Sequence, residues 1–135
     1  YNELYENLIN IWRKYSNSKK EIDCYFLMAD EELQCDLKIE NDILWVKGEE
    51  DHWGALLKKI IVSLDYFFYD KNNYENVFIT NLSTFVNFNK ILEVSGISNN
   101  ECCHAVIGKY NFRDKEYDFP SGAGMLFSNK IAKKS

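Results

Sequence analysis

The sequence is short of the features that mark several large functional classes. It has one proline and six glycines in 135 residues, and neither Gly-x-Gly-x-x-Gly nor Gly-x-x-x-x-Gly-Lys-[Ser/Thr] occurs. The dinucleotide and P-loop fingerprints are therefore absent. No apolar run approaches the roughly 20 residues that cross a bilayer, and the start lacks the charged-then-apolar pattern of a signal peptide. Positive charge is scarce too: 16 Lys and Arg stand against 21 Asp and Glu, for a net charge of −5. With no basic stripe to neutralise phosphates along a duplex, nucleic-acid binding is disfavoured. Only two histidines are present, His52 and His104, and four cysteines, Cys24, Cys35, Cys102 and Cys103. The cysteine spacing matches no dense disulfide framework, so reduced, buried thiols are the expected state. Adjacent cysteines do not readily ligate one tetrahedral ion, so Cys102-Cys103-His104 is not a zinc pattern. Nor does its spacing support a Cys/His nucleophile pair, and 102–104 reads as strand core.

What is present is a globular chain, 46% apolar and 16% aromatic, of a length that suits one domain with a real core. Leu4, Leu8, Ile11, Trp12 and Tyr15 fall at helical spacing and predict a helix from about Asn2 to Tyr15. Ile22 to Met28 has the length and composition of a strand buried on both faces. The acidic stretch Ala29 to Asn41 reads as a short helix or loop, and Asp42 to Val46 as a second strand closed by Lys47-Gly48. The strongest periodicity is that of Trp53, Leu56, Leu57, Ile60, Ile61, Leu64, Phe67 and Phe68, a core-facing helix over 52–68 with Asp51 as its N-cap. A short helix follows from Asn87 to Val94, capped by Asn87 and stopped at Gly96. Glu101 to Tyr110 predicts a strand, Asn111 to Asp118 a hairpin or loop, and Tyr117 to Ser128 a glycine-rich segment entering a strand. A last helix is expected from Ser128 through Lys134. This alternation predicts an α/β sheet with parallel strands and right-handed crossovers, the helices 2–15 and 52–68 lying on its faces.

Two stretches stand out for chemistry. Val77 to Ile79 is a buried strand that runs into the polar turn Thr80-Asn81-Leu82-Ser83-Thr84. In an open α/β sheet that is where ligands bind; a polar loop after a core strand explains the same residues. Ser121-Gly122-Ala123-Gly124 either cradles a ligand or forms a tight turn. Asn81-Leu82-Ser83 is also a glycosylation sequon, and a glycan there would block a ligand. That argues for a compartment without N-glycosylation, the cytoplasm; the secretory lumen is the alternative for a piece of a longer anchored protein.

Taken together, four blocks are similar to the fringe-like branch of GT-A nucleotide-sugar glycosyltransferases, which includes the beta-1,3-galactosyltransferases. They are Asn10-Ile11-Trp12 followed by Tyr25-Phe26-Leu27-Met28; Glu49-Glu50-Asp51-His52-Trp53-Gly54-Ala55-Leu56-Leu57-Lys58; the Val77–Thr84 stretch; and Phe119-Pro120-Ser121-Gly122-Ala123-Gly124-Met125-Leu126-Phe127-Ser128. The last resembles the family's Tyr-Pro-x-x-x-Ser-Gly-Gly-x-Tyr-x-Leu-Ser and is the most specific.

The resemblance implies a three-layer α/β/α GT-A-like domain over 1–135 with a mostly parallel central sheet. It also implies transfer of a sugar from a nucleotide-sugar donor to a hydroxyl on a glycan or glycoconjugate. A non-catalytic, degenerate transferase-like module acting by protein contact is the alternative. Lys58, Thr80, Asn81 and Ser83 would then face the donor, and Ser121, Gly122, Ala123 and Gly124 the donor sugar or acceptor. Asn81 and Ser83 take the two Asp-x-Asp positions, where the family holds Mn²⁺ or Mg²⁺ against the diphosphate. Here both side chains are neutral and offer oxygens without charge. The family's nucleotide-binding first strand and its catalytic carboxylate fall before Tyr1 and after Ser135, so the chain is expected to be a piece lacking both.

Overall fold

The computed structural model describes residues 2–49, 53–71, 74–97 and 103–129. The chain divides into two compact units, 1–70 and 71–135.

The first unit opens with helix α1 (Asn2–Ser16), which has Glu3 in its first turn and Arg13 and Lys14 in its last, a charge order that complements the helix dipole. Strands β1 (Phe26–Asp30), β2 (Leu37–Glu40) and β3 (Ile43–Lys47) form a sheet in the order β1-β3-β2. Strand β3 runs parallel to β1 from Phe26/Ile43 to Asp30/Lys47 and antiparallel to β2 from Leu37/Val46 to Glu40/Ile43. The β2–β3 turn has two residues, and its Asn41 takes φ 57°, a conformation Asn tolerates better than most side chains. Helix α2 (Trp53–Asp65) packs on β1 and β3 and passes into a π-helical turn at Tyr66–Asp70. The core is Ile9, Phe26, Leu44, Val46, Phe67 and Phe68.

The second unit holds β4 (Asn76–Ile79), α3 (Phe88–Ile97), β5 (Cys103–Phe112) and β6 (Lys115–Ser128), with the strands in the order β4-β6-β5. Both pairings are antiparallel. Asn87 caps α3 as expected, its Oδ1 accepting from the Lys90 amide at 3.3 Å. Val86, Phe88 and Leu126 are its buried apolar residues among those described.

A parallel three-layer α/β/α sheet is therefore not what this sequence builds. One sheet is mixed, with a single parallel pair, and the other is wholly antiparallel. The physical reason is the length of the connections. A parallel pair needs a crossover, whereas two-residue turns at 41–42 and 113–114 close antiparallel hairpins. The stretch 29–41, read as helix or loop, contains β2, and the strand read at 22–28 begins its ladder only at Phe26. Helix α2 is amphipathic along a different line from the one expected. Lys59 and Ser63 are buried, while Leu56, Leu57 and Ile61 are exposed; Phe67 and Phe68, in the turn that follows, are buried as expected. Leu4 and Ile11 of α1 are exposed as well. At the start of β5, His104 is exposed rather than core. The expected N-cap Asp51 and the helix proposed through Lys134 lie outside the described residues, apart from Ser128, which ends β6, and Asn129.

Candidate functional site

The β4–β6 ladder ends at Ile79/Met125. Thr80 continues the connection with its side chain: Oγ1 donates to the carbonyl oxygen of Ala123 at 2.7 Å. That carbonyl is available because β6 leaves its ladder with β5 at this point. The pairing passes from Ala105/Met125 to Ile107/Pro120, so the four residues Ser121–Gly124 stand against Val106 alone. This wide bulge interrupts the sheet beside the end of β4, and bulges re-aim backbone groups where a sheet meets a site. Within it the Ser121 hydroxyl accepts from the Ala123 amide at 3.2 Å. Both polar groups of Ala123 are thus held by hydroxyls, one on each side.

Gly124 has a packing reason to be glycine. A Cβ there would lie 2.9 Å from Cζ and 3.3 Å from Cε2 of Phe78, which is inside van der Waals contact. The ring of Phe78 lies over the glycine, so the close approach is made by a side chain from β4 and not by a ligand. After Thr80 the chain turns, the Thr84 amide donating to the Asn81 carbonyl at 3.1 Å. Asn81 and Ser83 are both exposed on this turn.

The sequence-predicted site residues are therefore partly assembled. Thr80, Ser121 and Ala123 meet through hydrogen bonds, with Gly124 under Phe78 beside them. Gly122 lies within the bulge, and Asn81 and Ser83 follow in the adjoining turn. Lys58 is exposed on α2, in the first unit. As a cation site the Asn81/Ser83 pair does not fit a resident divalent ion: one amide and one hydroxyl, exposed and uncharged, supply too few hard anionic ligands. Among the described residues no group of three or more His, Cys, Asp or Glu side chains could hold a metal ion.

Sequence reasoning missed a second cluster, in the first unit. Arg13 grips Asp42 through two hydrogen bonds, Nε–Oδ2 at 2.6 Å and Nη2–Oδ1 at 2.9 Å, and its guanidinium lies 5.5 Å from the centroid of the Phe26 ring. These residues line a cleft of about 370 Å³ with Ser16, Cys24 and Tyr25. Hydrogen bonding from Arg13 holds the Asp42 carboxyl below its ordinary value, against a smaller opposing effect of burial. A depressed carboxyl contributes stability above its unfolded value, about 3.9, and loses it as pH falls through the lower folded one. Burial pushes the Cys24 thiol up, against the hydrogen bond with Ser16, so it is not an activated nucleophile. The pair ties α1 to the β2–β3 turn, each charge satisfying the other. Only the 29-residue separation of its partners hid it, since no local spacing announces such a pair.

No helix is long and apolar enough to cross a membrane among the described residues. Comparison with protein-family models, curated proteins and solved structures gives no match to this chain.

Proposed function

We propose that the second unit handles the sugar end of a nucleotide-sugar donor, as part of a glycosyltransferase that delivers the sugar to a hydroxyl acceptor. The observation that carries this reading is the Thr80–Ala123 hydrogen bond at 2.7 Å, across the mouth of the Ser121–Gly124 bulge. Two segments 43 residues apart, which the resemblance assigns to donor and to sugar pocket, are neighbours. Thr80 and Ser121 fix the bulge, and Asn81 and Ser83 offer exposed hydrogen-bonding groups beside it. Neutral polar groups of this kind suit sugar hydroxyls and phosphate oxygens without a resident cation. The test is calorimetry of the chain against UDP-, GDP- and CMP-sugars, with and without Mn²⁺. At least one donor is expected to bind, and Asn81→Ala is expected to weaken it about tenfold, the cost of one lost charge-assisted hydrogen bond. Absence of binding by every donor under both conditions overturns the reading.

A second reading, a non-catalytic module acting by protein contact, is favoured by α2. Its Leu57 and Ile61 are 60% and 57% exposed, unusual for apolar residues one helical turn apart. In that case Leu57→Asp disrupts partner capture, while Asn81→Ala leaves it intact.

A further inference from the structure

Beyond the bulge, β5 and β6 continue as a two-stranded ribbon to the turn at Arg113 and Asp114. Residues 109–118 of this ribbon are all exposed. Cross-strand partners share a face, as do residues two apart. One face therefore carries Tyr110 opposite Tyr117 and Phe112 opposite Lys115; the other carries Lys109 opposite Asp118 and Asn111 opposite Glu116. The 2.7 Å Lys109–Glu116 ion pair lies on the second face and neutralises part of its charge.

The first face is different in kind. Tyr110, Phe112 and Tyr117 are 56%, 48% and 50% exposed. The Tyr110 and Phe112 rings are near-parallel, 16° apart, with centroids at 6.3 Å. Arg113 places its guanidinium 5.1 Å from the Phe112 ring centroid. Between residues 110 and 117 the ladder positions of this face hold three aromatics and one lysine; the carboxylate of the turn, Asp114, follows Arg113 outside the ladder. Aromatic rings with phenolic rims accept a partner that has both an apolar face and hydroxyls, and adjacent cations add attraction for a negative group.

We propose that this face binds an acidic oligosaccharide, a chain of pyranose rings bearing carboxylates, as the acceptor of the transfer reaction. Rings stack on Tyr110 and Tyr117, while Lys115 and Arg113, the latter held against Phe112, meet the carboxylates. Strand β6 then leads directly from Tyr117 to the Ser121–Gly124 bulge, so a bound chain points toward the sugar pocket. The role as acceptor rests on the transferase reading; the binding itself does not.

Calorimetry of the full chain with hexasaccharides of hyaluronan and of galacturonan, and with chitohexaose as the neutral comparison, tests this. At least one acidic hexamer is expected to bind more tightly than chitohexaose, with affinity falling as salt rises. Tyr117→Ser and Lys115→Glu, both at exposed positions, are each expected to weaken it roughly tenfold. Binding by neither acidic hexamer, or equal binding of the neutral one, overturns the proposal. So does affinity that neither variant changes. Sedimentation that shows a dimer lost in Tyr117→Ser, without any oligosaccharide binding, assigns the face to a second copy of the chain and overturns it as well. If acidic hexamers bind but no nucleotide sugar does, the face stands as a saccharide-binding surface and the transferase reading falls.

Discussion

The middle strands of the two sheets differ along their length. In the first unit β3 is flanked by partners throughout, and its Leu44 and Val46 are each 1% exposed. In the second, the described ladders flank β6 on both sides only from Met125 to Phe127, where Leu126 is buried; residues 115–118 are exposed. The change from buried to exposed falls at Ser121–Gly124. A regular strand has one reason to be where it is, its packing. A strand that leaves the sheet halfway needs a device at the exit, and here that device is a bulge clamped by Thr80 and covered by Phe78.

The contrast predicts unequal responses to the same operation. Phe68 is fully buried in the first unit, and Phe68→Ala should cost about 3–5 kcal/mol, the range for large aromatic truncations in a packed core. Tyr117→Ala on the ribbon removes a side chain of similar size and should stay within about 0.5 kcal/mol, as exposed substitutions do. Chemical denaturation of both variants measures the difference. Equal costs would mean that the ribbon is as much a part of the core as β3.

Gly124→Ala attacks the exit device. The new methyl must displace the Phe78 ring, and overpacking of this kind costs about 1–3 kcal/mol. Phe78→Leu in the same chain should recover much of that loss, because the shorter side chain vacates the position of Cζ. If the double variant is no better than the single one, crowding by Phe78 is not what fixes the glycine.

Much of this was legible in the sequence, and the failures have causes. Apolar spacing located α1 and α2, and Asn87 located the start of α3, because those signals are local. The Val77–Ile79 strand and its polar turn were equally visible, although the strand is half-buried rather than buried. Strand β2 was hidden because Leu37 and Ile39 alternate with Lys38 and Glu40 for only four residues inside an acidic stretch. The orientation of the sheets failed for a related reason. Helix–strand alternation suggests parallel pairing, yet the hairpin turn at Asn41-Asp42 carries no glycine to announce it, and the stretch Asn111 to Asp118, legible as a hairpin or loop, makes its own pair antiparallel. The inward face of α2 does not follow its apolar stripe: Lys59 and Ser63 are buried, whereas Leu57 and Ile61 are exposed. For the site, the glycine-rich segment pointed to an irregular strand, but its partner Thr80 and the length of the bulge depend on pairing across 43 residues.

Thr80→Val keeps the shape of the side chain and removes its hydrogen bond to Ala123. The expected loss is about 1 kcal/mol, the net worth of a neutral hydrogen bond, less than that of Gly124→Ala. Its second consequence separates packing from positioning. If the clamp sets the bulge, amide shifts in Val77→Ala, which trims β4 elsewhere, will leave residues 121–124 in place, whereas Thr80→Val will move them. Nuclear magnetic resonance of both variants distinguishes the two; matching shifts would remove Thr80 from the exit device.

The smallest effect concerns the turns that close the two hairpins. Asn41 takes φ 57°, and Arg113 and Asp114 take 49° and 61°. Two successive positive φ values define the tight turn that matches the twist of a hairpin, and glycine is favoured at its second position. Asp114→Gly should therefore relieve backbone strain, against the greater freedom glycine gives the unfolded chain, for a net gain of about 0.5 kcal/mol. That gain should appear as slower hydrogen exchange at Phe112 and Lys115, because a two-stranded ribbon owes its order largely to its turn. Asn41→Gly should change exchange in the first unit little: asparagine already suits that φ, and β3 is held on both sides. Protection gained equally in both hairpins would show that the ribbon is held by something other than its turn, and the contrast between the two middle strands would narrow accordingly.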